Sequence, residues 1–220
     1  MEKLIEISFV GPLHNKVMQQ LTTLPSFPSV TKSETYNEAR LIILDYYAVN
    51  GLETPQMLDF STFENKVDQV IVNQNDLAPL LEQLKNEHSI TVAQFDKLLQ
   101  INSLFINQTG INKLTNDLFG IESALYAEPG MIFNEKALVF GTSVIGRNSA
   151  YYWFSSANNP NDPWNDNVVQ AIPWWKRALR DLIGFAVGFT VGSIISGGNP
   201  IIGGAAGTLT GTAASANETP

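Results

Sequence analysis

At 220 residues the chain is long enough to bury a core of its own, and with no cysteine it has neither disulfides nor thiolate-bound zinc to staple one. Its net charge of −8 argues against nucleic acid as a partner, because phosphate binding draws on clustered Lys and Arg. The opening residues MEKLIEISFVGPLHNK carry Glu2 and Glu6 and no apolar run of signal-peptide length, so the expected location is membrane-associated or cytoplasmic.

The punctuation along the chain is helical. Pro12 suits the first turn of a short helix through Val17 and Leu21, which the Pro25 to Pro28 stretch ends. Ser33 is the cap candidate for a helix of about four turns that stops at Gly51. Ser61 and Glu64 have capping-box spacing, and Asp76 precedes Leu77, Leu80, Leu81 and Leu84 at helical intervals. Thr91 is placed to cap VAQFDKLLQINSLFI, with Phe95, Leu98, Leu99, Ile101 and Phe105 on or near one stripe. Two further helical stretches follow, INKLTNDLFGIESALYAEPG and NEKALVFGTSVIGRNSAYYWF. No segment alternates with the strand period, so the expected class is all-α: a multi-helix bundle followed by a helical hairpin.

The text changes at SSANNPNDPWNDNV to turn-rich connector chemistry. Asn161, Asp162, Asn165 and Asp166 suggest oxygen ligands for calcium. The glycine and the closing acid of a calcium loop are missing, however, and the segment reads as a linker with no metal. The expected division is therefore a bundle over 1–155, a connector over 156–171 and a hairpin over 172–216, with residues 1–157 able to stand alone.

In the hairpin, Gly184, Gly188, Gly192 and Ser196 lie four apart, and so do Gly203, Gly207, Gly211 and Ser215. Residues four apart share a helix face, so each run predicts a smooth stripe where another backbone can approach, with the Gly197 to Pro200 stretch as the turn between arms. Glycine inside a helix costs roughly 1 kcal/mol relative to alanine, so close packing has to offset several such penalties. The doubled GxxxGxxxGxxxS pattern of residues 181–215 resembles the glycine-zipper segments of bacterial envelope proteins. That resemblance implies a hairpin that associates with or inserts into membrane. The signal and cysteine of the lipoprotein branch are absent from this sequence.

Trp174, Trp175, Lys176, Arg177 and Arg180 stand just before the first arm, the aromatic and basic mix of a lipid interface. The uncharged runs of 15 residues from Leu182 and about 16 from Ile201 fall short of the roughly 20 that a spanning helix needs. The alternative is a soluble interaction module in which the hairpin packs on the bundle.

Catalytic signatures are absent. His14 and His88 are far apart and are expected on the surface or at helix caps, and no HExxH, GxSxG, phosphate-loop or dinucleotide motif occurs. Ser143, in FGTSVIG, reads as part of a small-residue stripe. The expected function is non-enzymatic, without cofactor, with a membrane or a second copy of the chain as the hairpin's partner.

Overall fold

Caps set the helix starts. Thr31 and Glu34 bond reciprocally, Glu34 N–H to Thr31 Oγ1 at 3.2 Å and Thr31 N–H to Glu34 Oε2 at 2.8 Å, and open helix α2 (Lys32–Val49). The cap is thus two residues before Ser33. Asp59, rather than the Ser61 and Glu64 pair, starts α3 (Phe60–Val72), where its carboxylate accepts Thr62 N–H at 2.9 Å. Asp76 accepts Ala78 N–H at 2.9 Å ahead of α4 (Ala78–Asn86), and Thr91 with Gln94 forms the capping box of α5 (Val92–Ile106).

The computed structural model of the chain describes residues 4, 7–52, 54–72, 76–165 and 172–217. Among them the fold is all helical, completed by α1 (Val10–Leu21), α6 (Ile111–Ala127), α7 (Phe133–Asn158), α8 (Trp174–Ile195) and α9 (Pro200–Ala216), with no strand. Gly51, at φ +64°, ends α2 as its composition predicts.

The 26-residue α7 is apolar on most sides, as a central helix must be, and packs against α1, α5, α6 and α8. α8 and α9 form an antiparallel pair, the most extensive helix contact among the described residues; α9 then covers α1, α2 and α3, and α8 covers α7 and α3. One apolar cluster joins Val10 and Val17 of α1, Val144 and Ile145 of α7, Leu182 and Phe185 of α8, and Leu209 and Ala213 of α9. The core therefore runs through segments 1–155 and 172–216 without a break.

The described part of the connector is anchored. Trp164, in a single 3-10 turn (Pro163–Asn165), is buried edge-on against Trp153 at 5.5 Å and Phe27 at 4.8 Å. Asp162 spends its oxygens on Trp164 N–H and the Ser156 hydroxyl, which is turn chemistry; Asp166, the remaining calcium-ligand candidate, lies outside the described residues.

Candidate functional site

The hairpin is built on backbone approach. A methyl group placed on Gly184 would lie 2.6 Å from Gly211 Cα and 2.8 Å from Thr210 O; on Gly211 it would lie 2.6 Å from Asp181 O. On Gly188 it would collide with Ala206 O, and on Gly207 it would meet Phe185 O at 2.8 Å. Gly192 faces Ala206 Cβ, and Gly203 faces Ser193 Oγ. All six of these glycines lie against the opposite arm. The serines do other work: Ser215 Oγ donates across the arms to Arg177 O at 3.2 Å, while Ser196 Oγ bonds Gly192 O at 2.7 Å and helps terminate α8. Gly197 and Gly198 make the turn at φ +67° and +95°, conformations that side chains with a Cβ resist.

A polar anchor ties the first arm to the bundle. Asp181 is wholly buried; its Oδ2 accepts Trp153 Nε1–H at 2.7 Å and the Ser149 hydroxyl, and its Oδ1 lies 3.0 Å from His14 Nε2. One carboxylate therefore joins α8 to α7 and α1. His14 is fully buried, not on the surface or at a cap. Burial alone would push its pKa down, but the charge and contact of Asp181, with help from the Asn15 side chain, outweigh that and raise it.

The expected interface residues divide. Arg177 and Arg180 are buried, and Arg177 lies 4.8 Å over the Trp153 ring. Burial pushes both guanidinium pKa values down to about 10, partly opposed by Asp181. Trp174, Trp175 and Lys176 are half-buried: Trp174 packs edge-on against Phe154 at 5.6 Å, and Lys176 sits 5.7 Å from the Trp175 ring. In this fold, Arg177 and Arg180 belong to the interior rather than to an outer belt. Ser143 is buried too, its hydroxyl donating to Leu118 O at 3.1 Å.

The far end of the hairpin is open. Ile194 and Ile195 are 60% and 50% exposed just before the glycine turn, and a pocket of about 360 Å3 lies between this tip and the starts of α5 and α7. Sequence reasoning missed the anchor and the pocket. Asp181 had one signal: it lies three residues before Gly184 and seven before Gly188, on the packed face, where a carboxylate needs buried partners. The pocket joins residues about a hundred positions apart and leaves no local trace.

The chain matches no protein-family description, no curated protein and no solved structure.

Proposed function

We propose that this chain is a non-enzymatic helical protein that stows a glycine-rich hairpin inside its bundle and uses it to associate with membrane. The observation that carries the reading is the combination of a long uncharged stretch of the hairpin, residues 182–217, with an isoleucine tip left outside the fold. The 22-residue α8, about 33 Å long, contains an 18-residue window with a mean hydropathy of 1.6, which meets the length and composition of a membrane span. The glycine faces already pack on each other, so the arms can remain paired when they leave the bundle. Self-association through the same faces would require exchanging them between copies, which makes lipid the simpler partner.

A second reading has its own observation. Burial of 78% of the apolar window of α8 is what the core helix of a soluble protein shows, so the hairpin then serves only to complete an interaction module. Flotation with liposomes at low and high salt separates the two. The full chain is expected to float with a blue shift in Trp emission. Ile194→Ser combined with Ile195→Ser is expected to lower the floating fraction without changing helical content. Full-length protein that stays in the soluble fraction at both ionic strengths overturns the membrane reading and leaves the soluble module.

A further inference from the structure

The pocket at the hairpin tip is a seam between two parts of the fold. Its floor is Leu138 of α7 and Phe189 of α8, each only 2% exposed; Ile194 and Gly198 form one side, and Ser89 and Asn134 form the mouth. Val92 and Ile132, each two residues from a lining residue, are 65% and 68% exposed. At about 360 Å3 the space falls at the lower end of the roughly 300–1,000 Å3 typical of small-molecule sites.

The lining chemistry selects the occupant. Among the described residues Glu135 is the one charged side chain lining the pocket, and no Lys, Arg or His lines it. Its Oε2 accepts Ile132 N–H at 2.8 Å, which holds the carboxylate at the start of α7, and among the described residues Oε1 accepts no hydrogen bond. Among the described residues the Ser89 hydroxyl and the Asn134 side-chain amide make no hydrogen bond within the protein, so both are available at the mouth. Gln94 is committed, its Nε2–H donating to Glu135 O at 3.3 Å and its Oε1 accepting Thr91 N–H at 2.8 Å. An apolar floor, a fixed carboxylate and free oxygens at the rim suit a short hydrocarbon chain carrying an ammonium head, and disfavour an anionic head.

We infer that the seam between the hairpin tip and the starts of α5 and α7 is a binding site for a single-chain primary-amine amphiphile. Its alkyl chain lies against Leu138, Phe189 and Ile194, and its ammonium donates to Glu135, Ser89 and Asn134. The inference does not rest on the membrane reading, because the ligand binds the closed fold and no bilayer takes part.

The test is calorimetric titration of the full chain with decylamine below its micelle-forming concentration, without vesicles, alongside decanoate of the same chain length. Saturable decylamine binding is expected, with decanoate weaker by about tenfold or more. Glu135→Gln keeps a side-chain oxygen for the Ile132 N–H and is expected to weaken decylamine about fivefold; Glu64→Gln, on α3, controls for general attraction to an acidic protein. Ser89→Phe, which fills the mouth, is expected to weaken binding about tenfold, with helical content and melting temperature recorded to show that the fold persists. The inference is overturned by absence of decylamine binding, by decanoate binding as tightly, by Glu135→Gln behaving as Glu64→Gln does, or by unchanged binding in a folded Ser89→Phe protein. A chain that fails to float on liposomes yet binds decylamine leaves this site standing.

Discussion

Asp181 concentrates the cost and the benefit of polar burial in a single side chain. Replacing it with Ala strands the His14 imidazole, the Ser149 hydroxyl and the Trp153 indole N–H without their acceptor, and is expected to destabilise the fold by about 3–5 kcal/mol in urea unfolding. His14 adds a pH dependence whose direction follows from its raised pKa. The protonated imidazole is favoured in the fold, so its contribution is complete below the unfolded value near 6.5 and disappears as pH rises through the higher folded value. Arg177 and Arg180, at about 10, stay charged for most of that range and leave His14 as the titrating partner of Asp181. The stability advantage of the parent over His14→Gln is therefore expected to be largest near pH 6 and to shrink towards pH 9. An advantage that grows with pH would mean that His14 is neutral in the fold.

Between α8 and α9, helix propensity and packing oppose each other. Gly188→Ala gains about 1 kcal/mol of propensity but puts a methyl group onto Ala206 O, a backbone atom that yields only if the arms separate. It is expected to lower the melting temperature, and Gly188→Leu to lower it further. Gly120, in the exposed middle of α6 with nothing within 4 Å of an added Cβ, is expected to do the opposite, Gly120→Ala gaining up to about 1 kcal/mol. If both alanine variants are stabilising, the arms do not meet as closely as described. The same contrast explains what the sequence made legible. Small residues every four positions are a local signal of a packed face, and turn glycines and the Thr91 cap are local signals of helix ends, so the helical class is legible in the sequence. Thr31 and Asp59 displaced Ser33 and Ser61 as caps because several hydroxyl and carboxylate groups near a helix start compete, and tertiary packing fixes which residue leaves the helix. The burial of Arg177, Arg180 and His14 is not legible in the sequence, because a charge in a single sequence gives no view of the buried groups that face it.

One core spanning both sides of the connector changes what the whole molecule should do when it is cut or locked. Residues 1–157 lose the partners of Val10, Val17, Val144 and Ile145, so this truncation is expected to lack a cooperative thermal transition, contrary to the independence that its capped helices suggest. A sharp transition in far-ultraviolet circular dichroism would instead make the hairpin an accessory. Release of the hairpin, which the membrane reading requires, can be blocked covalently. A Cβ built on Gly204 of α9 lies 3.2 Å from Val10 Cγ1 of α1, so Val10→Cys combined with Gly204→Cys puts two thiols close to disulfide geometry, and the chain has no native cysteine to compete. The oxidised protein should stay in the soluble fraction with liposomes, and reduction should restore flotation to the level of the parent. Because the hairpin carries no charge between Asp181 and Glu218 while the chain as a whole is at −8, attachment under the membrane reading would be driven by apolar burial and should change little between low and high salt. Equal flotation of the oxidised and reduced forms would show that the exposed isoleucine tip suffices and that the arms never leave the bundle.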